Sequence, residues 1–154
     1  MYNVIIAVKG DVINTTPIGL FYLHFIGGIF FVPSADELIF YYGLIEGNPP
    51  ILSFLAALIG FLLAQILNYF IGLKTSSFIL NIVSKKKVYK TRRFVNKYGA
   101  YGIFIFNVLP LPSPLLTFAL GLAKYNFKRL FLITILAKSI EYGILIAIFL
   151  LFSI

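Results

Sequence analysis

Cysteine and tryptophan are absent from the 154-residue chain, and histidine occurs once. Without cysteine the protein forms no disulfide, holds no thiolate-bound metal and uses no cysteine nucleophile. Charged residues are also scarce, at 12% of the chain, against about 25% in an ordinary soluble domain. Because a soluble surface has to face water, this shortage excludes a water-soluble globular protein. The 60% hydrophobic content instead indicates a membrane protein.

Acidic residues number only five against 13 lysines and arginines, which leaves a net charge of +8. The excess lies in residues 74–97, a stretch with eight basic residues and no acidic one: Lys74, Lys85, Lys86, Lys87, Lys90, Arg92, Arg93 and Lys97. Because aromatic and aliphatic residues alternate with these charges, we expect an interfacial helix on anionic lipid headgroups and no nucleic-acid partner. A simple topology anchor is the alternative.

Four apolar stretches exceed or approach the length of about 20 residues that a membrane-crossing helix needs. Residues 50–73 and 130–154 have no internal proline and are predicted to be transmembrane helices. Residues 17–45 and 98–123 are each broken near the middle, at 32–37 and 109–114. The second break holds three prolines at alternate positions, which remove backbone donors and disfavour helical geometry. An unbroken helix therefore does not run through it.

Two topologies are open, and loop charge distinguishes them. If all four stretches cross, residues 124–129 lie opposite the basic stretch. If the broken stretches are re-entrant hairpins, residues 74–97 and 124–129 share one face, which collects eleven basic residues and no acidic one. The positive-inside rule favours the hairpins. We therefore expect a multi-pass protein of the cell membrane, with 74–97 and 124–129 cytoplasmic and both termini extracytoplasmic.

The two halves of the chain resemble each other weakly. Alignment of Gly43 with Gly121, an offset of 78 residues, matches an apolar run in each half. Each half then reads as a hairpin followed by one crossing helix, so the second half enters from the opposite side. The expected fold is an all-α integral membrane protein. It forms one domain over residues 1–154, with inverted repeats at about 17–73 and 98–154 joined by the basic connector 74–97.

Each break carries a helix-start signal. Ser34 followed three residues later by Glu37 fits a capping box, and Ser113 before Pro114 fits an N-cap with proline at the first helical position. A helix start at membrane depth suits an anionic group. Acids inside a bilayer are costly and indicate function, so Asp36 and Glu37 are candidate binding or coupling residues. Alternatively, the two hairpins simply cap themselves and pack together.

Other polar residues in the apolar stretches have simpler interpretations. Lys138 and Glu141 are three residues apart on one helix face and are predicted to pair with each other as a structural couple. Gln65 and Asn68 repeat that spacing, which is typical of interhelical hydrogen bonding. His24 is assigned no role.

The break segments VPSADELIFYYG and LPLPSPLLTFALGLAKYNFKRLF resemble motifs of the DedA-like, SNARE-associated (VTT-domain) family of membrane proteins. The resemblance covers about residues 18–152 and is greatest to the small YqaA-like branch. It implies movement of lipids between leaflets, with polyprenyl phosphates and phospholipids as substrates and proton coupling in some members.

The resemblance also assigns residues. Glu37 matches the acid of the first hairpin and Pro33 its proline, but Asn107 and Ser113 stand where DedA proteins carry arginines around the hairpin proline Pro110. Headgroup binding would then depend on the helix starts and on a loop lysine. The full candidate site consists of the residues around the two breaks: Pro33, Ser34, Asp36, Glu37, Asn107, Pro110, Pro112, Ser113 and Lys124.

The sequence thus predicts a lipid transporter of flippase or scramblase type that binds membrane lipids with anionic headgroups. We expect no enzymatic activity, no cofactor and no metal, and a homo-oligomer is possible. A proton- or ion-coupled transporter of small solutes is one alternative. A membrane scaffold that recruits a partner through its basic stretch is another.

Overall fold

The computed structural model describes residues 16–29, 36–80, 85–109 and 113–152. Within these ranges every regular element is a helix. The six helices, in chain order, are α1 (Pro17–Ile29), α2 (Asp36–Ile45), α3 (Pro50–Leu80), α4 (Lys85–Val108), α5 (Ser113–Leu122) and α6 (Phe127–Phe152). The all-helical class predicted from the sequence is confirmed for the described part of the chain.

Side-chain caps fix two of the helix starts. The Thr16 hydroxyl accepts the Gly19 N–H at 3.2 Å, and Pro17 takes the first helical position, where its missing N–H costs nothing. At α6 the Asn126 side-chain oxygen accepts the Arg129 N–H at 2.9 Å. Each cap satisfies a backbone donor that has no partner inside its own helix.

The short helices α2 and α5 end in the same kind of turn. After α2, Gly47 adopts a left-handed φ of 88°, the Asn48 N–H bonds to the Gly43 carbonyl and the Gly47 N–H bonds to the Leu44 carbonyl. These two bonds define a Schellman motif. After α5 the pattern repeats around Lys124, whose φ is 54°. A lysine thus occupies a position that favours glycine.

The two halves correspond at an offset of 77 residues. This number separates the first residues of α2 and α5, the two left-handed turn residues, and the first residues of α3 and α6. The sequence alignment of Gly43 with Gly121 was therefore wrong by one position. Gly43 supplies the carbonyl that closes the first turn, and the equivalent carbonyl in the second half belongs to Leu120.

The basic connector is not a separate helix. Residues 74–80 continue α3, and residues 85–97 form the first half of α4, which runs on to Val108 without interruption. The prediction of an independent interfacial helix over 74–97 was thus wrong in its boundaries. The proline-rich segment follows directly, because α4 ends at Val108 and α5 begins at Ser113.

Helix α3 lies between α1 and α5 and approaches both through glycines. A Cβ at Gly60 would meet the backbone carbonyl oxygen of Phe21 in α1. A Cβ at Gly72 would meet that of Phe118 in α5, and a Cβ at Gly121 would meet that of Tyr69. Small residues at such crossings let helix backbones come close, as is common in membrane bundles.

The distribution of polarity in the bundle is the reverse of that in a soluble protein. Four large apolar side chains spaced one turn apart on α6 are exposed: Leu132, Leu136, Ile140 and Ile144. Three polar side chains of the same helix are buried: Thr134, Lys138 and Glu141. Helices α3, over Pro50–Ser76, and α6 are long and apolar enough to span a membrane. The exposed apolar faces are suited to contact lipid.

Candidate functional site

A polar layer crosses the middle of the bundle. On α3, Gln65 and Asn68 fall between residues of two separate apolar clusters, and on α6 Lys138 and Glu141 do the same. Gln65 is two residues from the centre of the apolar span Pro50–Ser76, and Lys138 is within two residues of the centre of Phe127–Phe152. At 1.5 Å per residue, both lie within about 3 Å of the middle of their spans.

Lys138 connects the two halves of the chain. Its Nζ lies 2.5 Å from Oε2 of Glu141, one turn further along α6, and 3.4 Å from Oε1 of Glu37 on α2. The predicted pair of Lys138 with Glu141 is therefore present, but the self-contained couple is not. The ammonium group holds an acid from the first half as well. The side chains of Lys138 and Glu141 are 4% and 6% exposed, whereas that of Glu37 is 22% exposed.

Asp36 lies beside this ion-pair cluster at the first turn of α2. It is buried and interacts electrostatically with His24 of α1 and with Tyr142 of α6. The Tyr142 ring is fully buried and stacks on Phe40 with the centroids 4.6 Å apart. His24 packs edge-on against Tyr142, and its Nδ1 lies 2.7 Å from the Leu20 carbonyl oxygen. His24, which sequence reasoning left without a role, thus belongs to the buried polar layer.

The amides of α3 contact the other two hairpin ends. Gln65 Nε2 lies 3.3 Å from the Ser113 hydroxyl at the start of α5, and Asn68 Nδ2 donates to the Gly28 carbonyl at the end of α1 at 2.6 Å. Asn68 thus satisfies one of the carbonyls that the end of a helix leaves open. The interhelical hydrogen bonding predicted for both amides is confirmed, and its partners are the helix ends that flank the two breaks.

The structure brings together only part of the predicted site. Asp36 and Glu37 lie in the cluster around Lys138, and Ser113 lies against α3. Asn107 is buried, with its Nδ2 donating to a carbonyl of its own helix at 2.7 Å. Lys124 is exposed in the turn after α5 and does not join the others. The remaining predicted residues lie outside the described part of the chain: Pro33, Ser34, Pro110 and Pro112.

Sequence reasoning missed the part that the long helices play. Lys138 and Gln65 each reach the start of the short helix in the opposite half, at Glu37 and Ser113. The usable signal was their position, because an ionisable or amide side chain at the centre of an apolar span is costly there. The spacing to the nearest polar neighbour, by contrast, indicated a local pair and concealed the longer contact.

A family model for the VTT domain matches residues 16–151, which is nearly the whole chain. The protein belongs to the VTT-domain family. VTT-domain proteins are membrane proteins for which lipid or membrane transport is the general proposal, and the two apolar helices agree with that setting. No curated protein and no solved structure matches the chain. The match begins at the cap of α1 and ends within α6, so the VTT domain comprises all six helices.

Proposed function

We propose that this VTT-domain protein moves anionic lipids, such as a polyprenyl phosphate or an acidic phospholipid, between the leaflets of the cell membrane. The observation that carries the proposal is the polar layer at the centre of an otherwise apolar bundle, with Lys138, Glu37 and Glu141 in contact. Buried ionisable groups in a membrane protein mark a substrate or ion pathway. A lipid headgroup would use this layer while its tails stay in the bilayer.

The proposal includes the architecture of two inverted repeats with re-entrant hairpins. Three features support it: the constant offset of 77 residues, the equal length of α2 and α5 at ten residues each, and the shared Schellman turn. The contacts between the halves are also matched. Lys138 of α6 reaches the start of α2, and Gln65 of α3 reaches the start of α5. Broken helices that meet near the midplane are a transporter architecture.

Reconstitution in liposomes tests the function. We expect the purified protein to accelerate leaflet exchange of a fluorescent phosphatidylglycerol, measured by dithionite quenching, relative to protein-free vesicles. Glu37→Gln should slow exchange about tenfold or more, because it removes a charged partner of Lys138, an interaction worth roughly 1.5–3 kcal/mol. Glu46→Gln is the matched control, since Glu46 is an exposed acid in the turn after α2. It should exchange lipid at the wild-type rate.

The same vesicles separate the alternatives. If wild-type protein moves no lipid but dissipates a pH or ion gradient, the small-solute transporter is supported and the lipid proposal is wrong. The two carboxylates around one ammonium group give this alternative a basis, since their formal charge of −1 would attract a cation. If neither activity appears, and replacing Lys85, Lys86 and Lys87 abolishes recruitment of a partner, the scaffold interpretation is supported.

A further inference from the structure

Lys138 is the one lysine or arginine that is buried among the side chains described by the structure. A positive charge at the centre of a membrane span is expensive unless it is paired. Besides its two carboxylate partners, the Nζ atom lies 4.8 Å from the centroid of the Phe61 ring on α3 and 5.5 Å from that of Tyr142. Such aromatic faces attract a desolvated cation. The ammonium group is thus held from three helices.

The two carboxylate partners of Lys138 are not equivalent. Glu141 is nearer, on the same helix, and as buried as the lysine. Glu37 is 3.4 Å away, on a different helix, and more exposed. The Glu37 contact is therefore the weaker of the two and the one that opens toward the surroundings.

We propose that Lys138 is the anion-binding group of the transport site and that a lipid phosphate replaces Glu37 as its partner. This rests on the proposed function and names the residue that recognises the headgroup. Glu141 keeps its contact and holds the ammonium group in place. Because the cluster already carries a formal charge of −1, the headgroup and the Glu37 carboxylate cannot both remain at Lys138 without like-charge repulsion. Glu37 is thus a competitor of the headgroup.

Binding of short-chain lipids to the detergent-solubilised full-length protein tests this assignment. Dihexanoyl phosphatidylglycerol is the anionic probe and dihexanoyl phosphatidylcholine the zwitterionic control, with dissociation constants from calorimetric titration. We expect the wild-type protein to bind the anionic probe about tenfold more tightly, as one charge-assisted hydrogen bond provides. Lys138→Arg should keep this preference, because the charge is retained.

Two further variants distinguish binding from a structural role. Lys138→Gln alone leaves two acids unpaired and may not fold, so the charge-matched variant combines it with Glu141→Gln and keeps the formal charge at −1. This double variant should bind the two lipids with equal affinity. Glu37→Gln should bind the anionic probe severalfold more tightly, although it transports more slowly. Loss of packing would not tighten binding, so this opposite effect is specific to competition.

Three results would overturn the assignment: no anionic preference in the wild-type protein, a preference that survives in the double variant, or binding by Glu37→Gln that is no tighter. None of these would remove leaflet exchange by the wild-type protein in vesicles. Absence of that exchange would instead refute the proposed function. The two failures are therefore distinguishable.

Discussion

The crossing of α3 and α5 depends on glycine, and Gly121→Ala tests how closely the two helices pack. A Cβ at Gly121 would overlap the backbone carbonyl oxygen of Tyr69. A backbone atom inside a long helix has no rotamer through which it can give way, so the helices have to separate. Gly143→Ala is the matched control, because Gly143 is a helical glycine of α6 with no atom within 4 Å of the added methyl group.

The two substitutions gain the same helix propensity, about 1 kcal/mol. They differ in the cost of overpacking, which is about 1–3 kcal/mol for an extra methyl group in a packed interior. The free energy of unfolding of Gly121→Ala should therefore lie about 2 kcal/mol below that of Gly143→Ala. For a chain of this size, this difference corresponds to about 4–8 °C in Tm.

Thermal unfolding of both variants in the same detergent measures the difference. Gly72→Ala should behave like Gly121→Ala, because its Cβ would meet the Phe118 carbonyl at the same crossing. The double variant should cost less than the sum of the two, since one separation of the helices relieves both contacts. If Gly121→Ala melts as high as Gly143→Ala, the close crossing is refuted, and so is the register that brings Gln65 to Ser113.

Two other substitutions test the turns and the topology. Lys124→Gly relieves a left-handed residue with φ of 54°, so Tm should rise by about 2–4 °C for roughly 1 kcal/mol, and the lipid exchange rate should not change; a loss of exchange would return Lys124 to the site. Because the chain has no cysteine, single cysteines introduced at the exposed positions Lys97, Lys128 and Glu46 report their side of the membrane directly. We expect Lys97→Cys and Lys128→Cys to react from the cytoplasmic face and Glu46→Cys from the opposite face. Reaction of Lys128→Cys together with Glu46→Cys would refute the hairpins and the inverted repeat.

Helix positions followed from local chemistry and were largely predictable. The proline-rich break between α4 and α5 appears where alternate prolines remove helical hydrogen bonds, and α3 and α6 cover the two proline-free apolar stretches. The error at the basic connector has a physical reason. A charged segment continues an apolar helix wherever no proline or glycine stops it, so the change in composition at residue 74 did not mark the end of a helix.

The candidate site was predictable only in part. Its acids were recognisable because Asp36 and Glu37 follow a break inside an apolar stretch. Their partner was not, because Lys138 is 101 residues away and has an acid of its own one turn along the helix. Lys124 was misassigned for the converse reason. It is near the second break in sequence, but a ten-residue helix carries it to the other end of α5.

The sequence by itself therefore determined the class of the protein, the helices and the residues that are costly in a membrane. Apolar content, proline spacing and charge position are properties of short segments, and short segments are sufficient to specify them. Only the tertiary structure decided which costly residues meet. The glycine crossings of α3 and the packing of α2 on α6 bring groups from both halves to one depth, and no local pattern records that distance. The contact of Lys138 with Glu37 is a product of this packing.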